Sequence, residues 1–249
     1  MRTVADLRVK IFADGADLAG MKAMYANPLI KGFTTNPTLM RKAGITDYKT
    51  FALDVLRAIP DRPVSFEVFA DELDQMEAQA HEIASWGANV NVKIPVTNTK
   101  RVFCGPVIRR LSAAGVQVNV TAVFTLDQVQ AIAECVSPST PAIVSVFAGR
   151  IADTGLDPIP VMRQARAILK SRPKAELLWA SPREVLNVVH AEEAGCHIIT
   201  ATNDLLAKLG LFGKDLGDYS LETVAMFHRD ASASQFSIPI AATQERELA

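Results

Sequence analysis

LDQMEAQAHEIASWGANVNVKIPV, residues 73–96, changes its period halfway along. Leu73, Met76, Ala80, Ile83 and Trp86 fall on one helical stripe, with Asp74, Glu77, Gln79 and Glu82 mostly off it. Gly87 follows as a helix-ending glycine, as Gly115, Gly195 and Gly210 do elsewhere. From Val90 the alternation is twofold: Val90, Val92 and Ile94 share one face of a strand, Asn91 and Lys93 the other. Eight stretches rich in β-branched residues recur along the chain: Val9–Ala13, Gly32–Asn36, Val64–Phe69, Ala88–Ile94, Val116–Ala122, Ala142–Phe147, Glu176–Ala180 and His197–Thr200. Their spacing averages roughly 27 residues, which suits one strand and one helix per unit. The expectation is an α/β chain folded as a (β/α)8 TIM barrel in a single domain, residues 1–230, closed by a C-terminal helix. An extended tail is expected over 231–249. A doubly wound sheet would show the same alternation, but eight strands without a GxGxxG turn favour the barrel. Two helix starts read as capping boxes, Thr125-Leu-Asp-Gln128 and Ser181-Pro-Arg-Glu184, the second with proline at the first helical position.

Composition narrows the function classes. The 249 residues are 49% hydrophobic and 21% charged, enough to bury one sizeable core. A formal net charge of −1 offers nothing to an extended phosphate backbone, so a nucleic-acid partner is not expected. No apolar run approaches the roughly 20 residues that span a bilayer, and Met1–Phe12 mixes charges among its apolar residues unlike a secretory leader. Cys104, Cys135 and Cys196 are odd in number and far apart, which suggests neither a disulfide framework nor a zinc site. A reduced cytoplasm fits these features best.

The polar residues share strand faces. Lys93 is expected to point into the barrel, with Gln117, Asn119 and Thr121, Ser65 and Glu67, and Ser145 and Phe147 turned the same way on their own strands. Asp14, Asn36 and Ser181 follow the first, second and seventh strands, so polar groups gather at the carboxyl ends, where barrel enzymes carry their chemistry. Taken singly, Asn, Ser and Thr at strand ends often just satisfy loop backbone. A lysine flanked by aliphatics is the sharper signal, because burying its charge is costly unless it is paired or neutral. A neutral amine there would attack a ketone and form a Schiff base; an internal ion pair with Asp14 or Glu67 is the plain alternative, and the two can coexist.

Gly32-Phe-Thr-Thr-Asn-Pro-Thr38, Val92-Lys-Ile-Pro95, Asn119-Val-Thr121, Ser145-Val-Phe-Ala-Gly-Arg150 and Ser220-Leu-Glu-Thr-Val-Ala-Met-Phe227 resemble the transaldolase family, which includes the small transaldolases and the fructose-6-phosphate aldolases. The resemblance implies Lys93 as the Schiff-base lysine, Glu67 as a proton shuttle acting with Thr121 through a water, and Asp14 as the base during C3–C4 cleavage. It implies Asn36, Asn119 and Ser145 around the hydroxyls of a three-carbon fragment, Thr35 and Phe147 as further substrate-binding residues, and Arg150, Ser181 and Arg183 around a phosphate. Glu67 and Phe147 go with transfer of a dihydroxyacetone unit between sugar phosphates, as in the pentose phosphate pathway; glutamine and tyrosine there go with the aldolase branch. Pro182 stands where the family resemblance leads one to expect an aromatic residue, and Val146 where proline is frequent. The resemblance also implies a homo-oligomer, pentamer or decamer, and no metal or organic cofactor, since the imine is itself the electron sink. Two other readings are a metal-dependent barrel lyase or isomerase, for which His81, His190, His197 and His228 are poorly distributed, and a sugar-phosphate-binding barrel without turnover.

Overall fold

A computed structural model describes residues 3–238. The first half of the chain runs β1 (Lys10–Asp14), α1 (Leu18–Tyr25), β2 (Ile30–Thr34), α2 (Pro37–Lys42), α3 (Tyr48–Ala58), β3 (Val64–Glu67), α4 (Leu73–Ala84), β4 (Val90–Pro95) and α5 (Gly105–Ala113). It continues β5 (Val118–Val123), α6 (Leu126–Cys135), β6 (Ala142–Val146), α7 (Ala148–Asp153), α8 (Pro158–Ile168), β7 (Ala175–Trp179), α9 (Leu186–Glu193), β8 (Ile198–Thr202), α10 (Asn203–Ala207) and α11 (Leu216–Ser234). All neighbouring strands are parallel and β8 pairs with β1, which closes the (β/α)8 barrel.

Side-chain parity decides what lies on each side of the sheet. Val64, Phe66, Val90, Val92, Ile94, Val118, Val120, Val144 and Leu177 face outward and are buried with the helical stripes, Met76, Ala80 and Ile83 among them. Phe12, Ile143, Leu178, Ala180 and Ile198 form a separate cluster that plugs the barrel interior. Gly32 in β2 is there to admit the Phe12 ring: a Cβ would lie 2.5 Å from its Cζ. Below the plug, Lys10, Asn91, Gln117 and Glu176 line the amino-terminal mouth. Above it, the inward positions are polar.

The second strand ends two residues earlier than its sequence suggests, because Asn36 leaves the ladder to cap α2, its Oδ1 accepting from the Leu39 N–H at 2.9 Å ahead of Pro37. The Thr125 box forms as read, with Gln128 returning to the Thr125 N–H. Gly115 and Gly195 take positive φ after their helices, whereas Gly87 and Gly210 do not.

The chain divides into two compact units, Thr3–Gly210, which holds the barrel, and a second from Leu211 onward. In the second, Asp215 caps α11 by accepting from the N–H groups of Gly217 and Asp218. Residues 231–234, expected to be extended, continue this helix, since Ala and Ser there do not stop it; it ends where Gln235 turns left-handed at φ 58°. The rest of the expected tail, from 239, lies outside the described residues. No helix among the described residues is long and apolar enough to cross a membrane.

Candidate active site

At the carboxyl ends of the strands lies a cavity of about 470 Å³. Every catalytic or substrate-binding candidate named from the sequence lines it except Thr35. Lys93 comes up from β4 and is only 7% exposed. Its Nζ donates to the Thr35 carbonyl at 2.7 Å and pairs with Glu67 Oε2 at 3.0 Å. Glu67 stands beside it because β3 and β4 are in register, Glu67 opposite Lys93. The ion-pair alternative is therefore realised, and it brings an acid–base group against the amine rather than competing with it. Thr35 itself is turned away from the cavity: fully buried, it donates its hydroxyl to the Ser65 carbonyl at 2.8 Å and reaches Lys93 through its backbone.

Asp14 ends β1 under a chain of hydroxyls. Thr34 donates to its Oδ1 at 2.8 Å, Thr34 and Thr200 lie 2.6 Å apart, and Asn36 Nδ2 approaches Oδ2 at 3.3 Å. Burial pushes the Asp14 carboxyl above its ordinary range, a shift that the positive charge of Lys93 and the Thr34 hydrogen bond only partly oppose. A carboxylate made more basic next to a buried amine suits a proton acceptor.

On the other wall, Ser145 donates to Asn119 Oδ1 at 2.7 Å and Asn119 Nδ2 donates to Ser65 Oγ at 3.0 Å, so one polar line crosses β6, β5 and β3. Thr121 precedes Ala122, which is left-handed at φ 58° where the β5–β6 register breaks. Such strain beside a cavity-lining residue is where folds aim a side chain. Phe147 stacks on Phe124 at 5.7 Å, and the Arg150 guanidinium lies over the Phe147 ring at 5.3 Å.

The region after β7 differs from its sequence reading. Ser181 is no helix cap: it is left-handed at φ 57°, and α9 starts only at Leu186. The reason is Asn187, whose Oδ1 takes the N–H groups of Arg183 and Glu184 at 2.7 and 3.3 Å and so serves the donors that a capping box would have used. Ser181 and Arg183 are thus offered by a loop rather than by a helix end. Arg183 Nε donates to Asp153 Oδ1 at 2.9 Å, with a second bond from Nη2 to Oδ2, and the guanidinium holds the Asp153 carboxyl below its usual range. Gly149 joins the segments that carry Arg150 and Arg183. Its N–H donates to the Ala180 carbonyl at 3.2 Å, and a Cβ there would sit 1.5 Å from the Ser181 carbonyl oxygen.

Sequence reasoning missed four groups. Tyr48, at the start of α3, accepts from the Glu67 N–H at 2.7 Å and donates to the Glu67 carbonyl at 3.0 Å. Thr200 completes the hydroxyl chain to Asp14, Asp153 engages Arg183, and Lys42 of α2 lines the mouth. Only Thr200 carried a usable signal, its inward parity on β8. His81 and His190 lie on α4 and α9, and His197 accepts from the Leu177 N–H at the amino end of the barrel. His228 lies in α11.

The family profile described as transaldolase/fructose-6-phosphate aldolase matches residues 11–244. The chain belongs to this family. It is 33% identical over 202 residues to the "probable transaldolase" of Dehalococcoides mccartyi, covering 81% of this chain and 90% of that one. To the "probable transaldolase 2" of Listeria monocytogenes it is 34% identical, over 81% and 88% of the two chains. The corresponding Streptococcus agalactiae protein is 32% identical over 86% and 95%. Solved structures share the fold alone: dihydrodipicolinate synthase from Rhodopseudomonas palustris at TM-score 0.55 and 15% identity, over 94% of this chain and 82% of that one, and KGPDC from Streptococcus mutans at 0.54 and 12%, over 79% and 88%. The family and its named members make this a transaldolase-type enzyme.

Proposed function

We propose that the protein transfers a dihydroxyacetone unit from a ketose phosphate, such as fructose 6-phosphate or sedoheptulose 7-phosphate, to an aldose phosphate through a Schiff base on Lys93. The observation that carries this reading is the amine itself: buried beneath a polar cavity and held between the Glu67 carboxylate and the Thr35 carbonyl. Attack of Nζ on the C2 carbonyl gives a carbinolamine. Loss of its hydroxyl as water leaves an iminium, with Glu67 and Thr121 moving the proton through a water. Asp14 takes the C4 hydroxyl proton while the C3–C4 bond breaks, and the electron pair runs into the iminium to give an enamine. The aldose leaves, an acceptor aldose phosphate enters, and the steps reverse.

Asn36, Asn119 and Ser145 supply donors and acceptors for the three-carbon fragment, and Arg150, Ser181 and Arg183 for the phosphate at the mouth. Glu67 and Phe147 favour transfer over release of free dihydroxyacetone, since the stacked pair Phe147 and Phe124 presents no hydroxyl to hold a water that could protonate the enamine carbon and then hydrolyse the iminium. The imine supplies the electron sink, so the chemistry calls for no metal or organic cofactor. Sugar phosphates of this kind are cytoplasmic metabolites, and the cytoplasm is the proposed location.

Borohydride reduction in the presence of fructose 6-phosphate, followed by peptide mass mapping, tests the proposal. A three-carbon adduct on Lys93 is expected, absent from a folded Lys93→Ala variant. Trapping that persists undiminished in that variant would remove Lys93 as the nucleophile, and no adduct in the parent would remove fructose 6-phosphate as the donor.

A further inference from the structure

The seam between β2 and β3 is interrupted beside the amine. Thr35 N–H donates to the Ser65 carbonyl at 3.2 Å, and the next rung of a parallel ladder would run from the Glu67 N–H to the Thr35 carbonyl. That rung is replaced. The Thr35 carbonyl accepts from Lys93 Nζ at 2.7 Å, and the Glu67 N–H goes instead to the Tyr48 hydroxyl at 2.7 Å. The same hydroxyl donates to the Glu67 carbonyl at 3.0 Å, so one side chain serves both backbone groups of the residue that faces Lys93. A buried N–H must find an acceptor somewhere, and without Tyr48 the candidate in line is the carbonyl that holds the amine.

We propose that Tyr48 is a positioning residue for the Lys93–Glu67 pair, which takes over the backbone of Glu67 and thereby releases the Thr35 carbonyl to orient the amine. Tyr48 is well fixed for this. Asp47 caps α3 through the Thr50 N–H at 3.0 Å, placing Tyr48 in its first turn. The ring sits in an aromatic cluster, 4.5 Å from Phe69, 5.4 Å edge-on to Trp86 and 6.2 Å from Phe66. Burial raises the pKa of the phenol, so the hydroxyl keeps the proton that it donates to the Glu67 carbonyl.

The kinetic half of the test rests on the proposed Schiff-base reaction; the chemical half does not. Tyr48→Phe keeps the ring and removes the hydroxyl. With fructose 6-phosphate as donor and erythrose 4-phosphate as acceptor, kcat should fall about ten-fold or more with the donor KM within about two-fold, as expected when the reacting groups are misaligned while the substrate is still held. In parallel, reductive methylation with formaldehyde and cyanoborohydride is read at Lys93 against the exposed Lys22. Lys93 should react about three-fold faster or more in the variant, its carbonyl partner having been claimed by the Glu67 N–H. A folded Tyr48→Phe with parental kcat and parental Lys93 labelling overturns the inference, even if its melting temperature drops. A parent that yields neither product nor trapped adduct counts against the Schiff-base reading, and the labelling ratio then decides on Tyr48 alone. If Tyr48→Phe does not fold, 3-fluorotyrosine can replace the tyrosines, which strengthens the hydroxyl as donor and weakens it as acceptor. Tyr25 bonds Asp61 and the Tyr219 ring carries Lys214 over its face, so neither hydroxyl bonds Glu67, and an unchanged kcat and unchanged Lys93 labelling there would likewise overturn it.

Discussion

In the proposed reaction Asp14 carries two roles that pull on its charge in opposite directions. As the base it must be ionised, yet the fold favours its protonated form because burial outweighs the Lys93 charge and the Thr34 hydrogen bond. Its contribution to stability is therefore fully present below the ordinary value of 3.8 and is lost as pH rises through the raised folded value. Asp14→Asn removes that loss. The stability of Asp14→Asn relative to the parent should climb as pH rises above the ordinary value of 3.8, while transfer activity falls by about 10²-fold or more. Denaturant midpoints across that range, with kcat/KM for the parent, check both halves: a flat difference would mean that Asp14 is not destabilised by ionisation. The parent's activity should also fade on the acid side at a pH above 3.8. At this scale the sequence was informative wherever parity applied. Lys93, Glu67, Asn119 and Ser145 could be placed inside because each alternates with aliphatics on its own strand. Tyr48 and the Thr35 carbonyl could not, because their roles arise from contacts between separate elements, and a backbone oxygen has no residue type to read.

Elements, rather than single residues, set the end of the cavity proposed to hold the phosphate. Arg150 is carried by α7 and Arg183 by the loop after β7, and the two meet because Gly149 lets that loop's backbone touch the start of α7. A side chain at 149 would meet the Ser181 carbonyl at 1.5 Å, a backbone atom that must move as a unit with Ser181 and Arg183. Gly149→Ala should cost about 1–3 kcal/mol of stability and raise the KM for phosphorylated donors about ten-fold. Trapping of free dihydroxyacetone on Lys93 should stay near parental, since that end of the cavity is built on β3 and β4. An equal loss for both ligands would show that the damage spreads to the amine and that the two ends are not separately built. The helix–strand rhythm of this region was plain in the sequence, but its local geometry was not. Ser181-Pro-Arg-Glu184 has the composition of a capping box, and only Asn187, four residues past Arg183, diverts the donors that the box needed.

At the scale of the molecule, the barrel satisfies itself and α11 does not. The (β/α)8 closure follows from eight repeats of one pattern, each burying an aliphatic strand face under a helical stripe, which is why the architecture was legible from 73–96 outward. Helix α11 was legible as a match to the family's last helix, and it buries none of its own apolar residues: Leu216, Leu221 and Phe227 are exposed. Removing such side chains from water is worth roughly 1.5–3 kcal/mol apiece, which a second copy of the chain would supply. The resemblance that implies a pentamer or decamer thus coincides with a helix that carries an exposed apolar set. Light scattering after gel filtration should give a mass near five or ten times the 26.9 kDa chain. The double variant Leu221→Glu, Phe227→Glu should shift this to the single-chain mass, because charge on that face costs more than the remaining apolar burial returns. A parent that already elutes as a single chain would sink the assembly, and a double variant that keeps the parental mass would move the interface off α11.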